Sequence, residues 1–178
     1  TEEHQMVRAL ARDFYKRELA SDEADNKIES KDWGFTRHLL RGLGTLGILG
    51  MEVPEKYGGL DLDKICATIV AEELSGQGSF ACTLLAHQGL GTLPTRYFGT
   101  EEQKQKYLPK LISGEFVGAY CLTEPEAGSD VDNIKSTVTV SGDGNFILNG
   151  KKAFITNGGI ADLFTVFAQL EGFGLTAF

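Results

Sequence analysis

Two glycine-containing segments carry the side chains best suited to hold a ligand. Thr123-Glu124-Pro125-Glu126-Ala127-Gly128-Ser129-Asp130 offers hydroxyls, backbone N–H groups and a glycine that lets a ligand approach the main chain closely. By residue type alone it fits either a ligand-holding loop or a solvated hairpin connection. Phe154-Ile155-Thr156, running into Asn157-Gly158-Gly159, would present an aromatic face and one hydroxyl. Taken alone, an ordinary strand end and turn is its simpler reading. Glu124, Glu126, Asp130 and Asp132 crowd the first loop. A general base needs burial or a charge partner to tune it, which solvated loop acids lack, so none is assigned that role.

Other patterns carry less chemistry. Gly42-Leu43-Gly44-Thr45-Leu46-Gly47 matches the dinucleotide pattern G-x-G-x-x-G, with Asp61 and Asp63 downstream. That fingerprint needs a strand before it and a helix opening on it. Here a helical pattern precedes it and Pro54 with Gly58-Gly59 follows, so a glycine-rich helix end packed closely on a neighbour is expected. Cys66, Cys82 and Cys121 form no C-x-x-C, and His4, His38 and His87 lack ligand spacing. No metal site is expected, and the thiols read as buried or idle in a reducing compartment.

The elements that must position these segments change character along the chain. Met6, Val7, Leu10, Phe14 and Leu19 form one apolar stripe over residues 2–19. The charged stretch 21–30 reads as loop, and residues 35–46 read as helix again. Asp63 is expected to cap a helix carrying Ile65, Ile69, Val70 and Leu74. Residues 79–98 predict a helix that breaks near Gly89–Pro94. Thr100-Glu101-Glu102-Gln103 is a capping-box pattern opening a short helix that ends near 111–114. After Gly114 the runs turn short and β-branched: 116–123, 134–141, 145–148, 151–156, 163–169 and 173–178. Gly142-Asp143-Gly144 and Asn149-Gly150 are hairpin signals. The order predicts an α+β chain, a helical part at 1–115 followed by an antiparallel β part at 116–178.

The 178 residues carry 25 Asp+Glu against 17 Lys+Arg and 42% apolar side chains. That apolar share is too high for a disordered chain. The net charge of −8 argues against a nucleic-acid surface, which needs clustered positive charge. Backbone amides can still bind small anions. No apolar run approaches the ~20 residues that span a bilayer, and the acidic start shows no export or transit pattern, so a secreted protein is not expected.

Taken together, the two segments resemble the flavin-binding signatures of the acyl-CoA dehydrogenases. The resemblance rests on Tyr120-Cys121-Leu122-Thr123-Glu124-Pro125-Glu126-Ala127-Gly128-Ser129-Asp130 and on Phe154-Ile155-Thr156-Asn157-Gly158-Gly159 at the expected separation. It extends to Val53–Gly59, Phe98–Lys104 and Leu148–Lys152. Ala86-His87-Gln88 and Ala161–Ala168 look most like the very-long-chain branch.

The resemblance implies a helical N-terminal domain and a β-barrel-like middle domain against which FAD binds. It also implies a C-terminal helical bundle, carrying the catalytic Glu, that these residues do not include. The flavin-contacting set would be Tyr120, Cys121, Leu122, Thr123, Gly128, Ser129, Phe154, Ile155 and Thr156. Phe154 stands where many members carry Trp, and it would stack on the ring system. Ser129 would also approach the CoA portion, and Thr92, in Gly91-Thr92-Leu93-Pro94, would help form an acyl tunnel. The implied activity is α,β-dehydrogenation of fatty acyl-CoA thioesters in β-oxidation. Its implied setting is an electron-transfer flavoprotein as acceptor and a homodimer or homotetramer, in the mitochondrial matrix or a bacterial cytoplasm. Without its base, the chain alone would not turn over. The short step from Gln169 to Phe173 suggests a missing loop there. The alternatives are an acyl-CoA oxidase and a non-catalytic, flavin-retaining assembly or binding member.

Overall fold

Six helices begin where a side-chain oxygen accepts the amide three residues on, at Thr1, Ser21, Asp32, Asp63, Gln77 and Thr100. Each satisfies an amide that a helix start leaves unpaired. The computed structural model describes all residues from Thr1 to Phe178. The helices are α1 (Glu2–Phe14), α2 (Asp22–Glu29), α3 (Trp33–Thr45), α4 (Lys64–Leu74), α5 (Gly78–Leu85), α6 (Leu93–Phe98) and α7 (Glu101–Ile112). A π-helical stretch, Ala86–Thr92, joins α5 to α6 where the sequence predicts a break. Both halves of the Thr100–Gln103 capping box form. None of these helices is long and apolar enough to cross a membrane.

One expected loop is a helix. Residues 22–29 form α2, capped by Ser21 and anchored by buried Ala24 and Ile28. Two inward positions four apart are all that an eight-residue helix needs, and they are too few to show as a period. The G-x-G-x-x-G run closes α3 as expected. Gly47 sits at φ 75° just past its end, and a side chain on Gly44 would overlap the Ser113 carbonyl.

The β part departs from the antiparallel, barrel-like expectation. Strands β1 (Gly118–Cys121), β2 (Thr137–Val140), β3 (Phe146–Asn149), β4 (Leu163–Leu170) and β5 (Gly174–Ala177) form one mixed sheet. The hydrogen-bonded path runs β1-β4-β2-β3, with β5 also on β4, and it does not close. β1 and β2 both pair with β4 in parallel, while β2/β3 and β4/β5 are antiparallel. Residues 122–162 give the chain enough length for a parallel return without an α-helix.

Two local predictions fail for a shared reason. Gly142–Gly144 does turn β2 into β3, but Asn149-Gly150 opens no second hairpin, and 151–156 joins no strand ladder. Gly150 instead lies so close to Ser136 that any side chain there would overlap it. The chain beyond is then drawn inward by Lys152 rather than outward into a ladder.

Helices and sheet share one core. Phe14, Leu39, Leu43, Leu74, Phe80 and Leu84 cluster with Val117 and Ile160 from the β part. Polar ties reinforce it. Arg37 reaches the Ile160 carbonyl (2.6 Å) and Asp162 (2.8 Å), and Asp162 accepts the Val117 amide at 2.9 Å. Fully buried His87 accepts the Gly118 amide on Nδ1 at 3.0 Å, which fixes Nε2 as the donor to the Leu111 carbonyl, also at 3.0 Å.

Candidate functional site

The first segment leaves β1 and folds into a turn. Glu124 and Ala127 exchange backbone hydrogen bonds (2.9 and 3.2 Å) across Pro125-Glu126, where proline presets the turn. Past the turn, Gly128 and Ser129 are exposed, and neither their amides nor the Ser129 hydroxyl has a partner in the chain. The space a Gly128 side chain would fill is open. Thr123 and Thr156 likewise leave their hydroxyls free.

The second segment is stitched alongside the first. Ala153 donates its amide to the Thr123 carbonyl at 2.9 Å. Lys152 Nζ donates to the Leu122 carbonyl at 3.1 Å and to Glu124 Oε1 at 2.8 Å. Glu124 also accepts the Lys135 amide (2.7 Å), the Ser136 amide (3.0 Å) and the Ser136 hydroxyl. Burial alone would raise the Glu124 carboxyl, but Lys152, the Ser136 hydroxyl and the two amides overcome it and hold the group down at about 2. Glu124 is thus a permanent acceptor with its oxygens occupied, and it cannot serve as a base near neutral pH. Its contribution to stability is present above its ordinary range near 4.5 and is lost as pH falls toward 2.

Beyond the stitch, Phe154 adopts φ 56° and the residue is 93% exposed. Asn157 is also left-handed, at φ 67°, and its Nδ2 donates to the Thr83 carbonyl at 3.0 Å. An aromatic residue with positive φ is rare and persists only where its surroundings enforce it. We therefore expect Phe154→Gly to stabilise the ligand-free protein by about 0.5–1 kcal/mol, the relief of the left-handed backbone less the extra chain entropy of glycine. Urea unfolding of the apoprotein checks this, and a lower midpoint would show that the backbone is not strained there.

The pairing of β1 with β4 puts Tyr120 and Phe167 on one sheet face, ring centroids 4.8 Å apart. Over that face, Leu90, Leu93, Pro94 and Tyr97 complete a mostly apolar cavity of about 400 Å³. Tyr120 lines it. Cys121, next in the strand, points to the other face and is buried, which pushes its thiol up. Leu122 and Thr123 are half-buried beside the stitch, and Ile155 is half-buried between exposed Phe154 and Thr156. Thr92 is not brought to the cavity. It is 1% exposed, and its hydroxyl donates to the His87 carbonyl at 2.8 Å.

The three cysteines are free. Glu3, His4 and Cys66 bring ligand atoms within 4.8 Å of one another. His4, however, is hydrogen-bonded to the α4 cap Asp63 at 3.0 Å, and burial pushes the Cys66 thiol up to about 11, so this group packs α1 on α4. Sequence reasoning missed Lys152 and Asn157. The one available signal was a second lysine in a run that otherwise reads as strand.

The site therefore combines an exposed flat ring, neutral hydroxyl and amide donors, and an apolar cavity nearby. Residues 1–115 match the family described as "Acyl-CoA dehydrogenase, N-terminal domain", and residues 119–177 match "Acyl-CoA dehydrogenase, middle domain". The chain belongs to the acyl-CoA dehydrogenase family. It is 43% identical to a probable acyl-CoA dehydrogenase of Bacillus subtilis, covering 100% of this chain and 30% of that protein. It is 41% identical to the human mitochondrial very long-chain specific acyl-CoA dehydrogenase, covering 93% of this chain and 25% of that protein. The crystal structure of an acyl-CoA dehydrogenase from Bacillus anthracis complexed with FAD superposes with a TM-score of 0.95 at 42% identity. That match covers 100% of this chain and 30% of the other. The chain thus spans less than a third of each of these relatives.

Proposed function

We propose that these residues form the flavin-holding part of an FAD-dependent acyl-CoA dehydrogenase, with 1–115 and 116–178 as its helical and β domains. One observation carries the reading: the two signature segments are stitched side by side, Ala153 onto Thr123 and Lys152 onto Leu122 and Glu124, and between them they carry the exposed Phe154 ring and the unpartnered donors. The donor set fits FAD. A flat exposed ring suits stacking on an isoalloxazine. The Thr123 and Thr156 hydroxyls suit its hydrogen-bonding edge, and the free Gly128 and Ser129 amides, with no side chain at 128 to bar approach, suit a pyrophosphate. Tyr120, Cys121, Leu122 and Ile155 complete the contact set, and Ser129 would also meet CoA. That the Bacillus anthracis acyl-CoA dehydrogenase was crystallised in complex with FAD supports the same ligand.

When bound, FAD supplies a two-electron acceptor for the hydride leaving the β-carbon of an acyl thioester. The chain's own residues hold and orient. Leu93, Pro94 and Tyr120 offer an apolar wall to an acyl chain. Glu124 is fully engaged and the other loop acids are exposed, so the carboxylate that removes the α-proton is assigned outside residues 1–178. We extend the reading to a very-long-chain-like member on the Ala86-His87-Gln88 run, and, as the family resemblance implies, to electron-transfer flavoprotein as acceptor and a homo-oligomeric state. The intact purified protein should be yellow and should bleach anaerobically with saturated acyl-CoA, longest chains fastest. Phe154→Ala should weaken FAD retention roughly tenfold. Colourless protein that FAD cannot reconstitute would sink the flavin reading. Colour that no chain length bleaches would sink the dehydrogenase reading and favour a binding member, and rapid reoxidation of the bleached flavin by oxygen would favour an oxidase.

A further inference from the structure

We propose that Lys152 is a positioning residue of the flavin site, its ammonium locking the two ligand-holding segments together so that Phe154 is held in its left-handed conformation. The inference rests on the flavin reading above and adds to it a device built from side chains that touch no ligand.

Lys152 is 11% exposed at its side chain and Glu124 is 4% exposed. A lysine is rarely placed so deep unless its charge is met. Here the ammonium is met twice from one segment, by the Leu122 carbonyl and by Glu124, which brackets Thr123. The next amide along, Ala153, closes a third bond, onto Thr123 itself. Phe154 follows directly, with the unfavourable backbone and a ring that nothing in the chain covers. At the far side, Asn157 pins the segment to the Thr83 carbonyl. The exposed, strained ring therefore sits between two anchors, and its placement relative to Thr123 is set by Lys152. Glu124 in turn is fixed by the amides of Lys135 and Ser136, so the lock is referenced to the residues that lead into β2. An arrangement that pre-orders a stacking ring lowers the entropy lost when the ligand binds.

A double-mutant cycle in the intact protein tests this. FAD dissociation constants are measured for wild type, Lys152→Met, Phe154→Gly and the double variant, together with the visible flavin spectrum. Wild type must bind FAD, and its failure to do so would overturn the flavin reading itself. Lys152→Met is expected to weaken FAD roughly tenfold and to alter the spectral fine structure, and the loss should largely vanish in the Phe154→Gly background. A lysine that merely supports the fold would give the same loss in both backgrounds. Additivity, or unchanged affinity in a folded Lys152→Met protein, would overturn the proposal. Should Lys152→Met not fold, Glu124→Gln takes its place in the cycle. It keeps the ammonium and its Leu122 bond but removes the opposing charge, and the same coupling or additivity decides.

Discussion

Replacing Gly91 by alanine is expected to cost the fold about 3 kcal/mol, at the upper end of what overpacking does. The new methyl would lie 2.6 Å from the Gly118 carbonyl carbon and 2.7 Å from its Cα. Both are main-chain atoms, so no rotamer change can relieve the contact. The π-helical stretch crosses β1 at this point, Gly91 on Gly118, and the approach is possible because neither residue has a side chain. Relief would require β1 to shift, taking Tyr120 out of the cavity wall and Thr123 away from Ala153. Gly89, two residues earlier, has nothing within 4 Å of where a side chain would begin. Gly89→Ala is therefore expected to be neutral or to stabilise by about 0.5–1 kcal/mol, since alanine is the better helix former. Chemical denaturation of the two variants checks the contrast. Equal behaviour would mean that the helix–strand crossing is looser than the geometry indicates.

The second large effect is a loss of stability on mild acidification, centred on His87. Burial pushes its imidazole down to about 4, although the Leu111 carbonyl pulls the other way. In the unfolded chain the group titrates near its ordinary 6.5. The folded state therefore binds fewer protons, so the contribution is full above pH 6.5 and is lost as pH falls from 6.5 to 4. Its size over that window is roughly 3 kcal/mol. Protonation would also turn Nδ1 into a donor facing the Gly118 N–H, opposing donor to donor on the same strand that Gly91 contacts. Urea midpoints measured between pH 7 and pH 4 should fall for the wild type and change less for His87→Gln. That variant should already be weaker at pH 7 by about 1–3 kcal/mol, because the Gly118 amide loses its acceptor. An equally steep acid profile in His87→Gln would exclude the imidazole as the titrating group.

Much of the helical part was legible because its signals are local. The Asp63 cap, the Thr100–Gln103 box, the apolar stripe of α1 and the glycine-rich end of α3 depend on residues three or four apart. α2 escaped because eight residues with two inward positions produce no visible period. The β part was legible as strands and not as a sheet. Run length and β-branching mark each strand, but which strands pair is decided by residues far apart in the chain. Asn149-Gly150 carried the strongest local hairpin signal and was overruled by close packing of Gly150 on Ser136.

The two ligand-holding segments were readable as motifs, since their residue types and order survive in the linear sequence. By itself the sequence determined the family, the helix starts, the order of helical and β parts, and the segments that hold the site. Only the tertiary structure decided that β1 and β2 both run parallel to β4 and that the sheet stays open. It also decided that Thr92 turns inward to its own helix and that Glu124 is spent on Lys152 and Ser136. The physical reason is the same in each case. Capping and periodicity are enforced within one turn of chain, whereas a buried charge or a bare backbone contact takes its meaning from the partner folding brings to it.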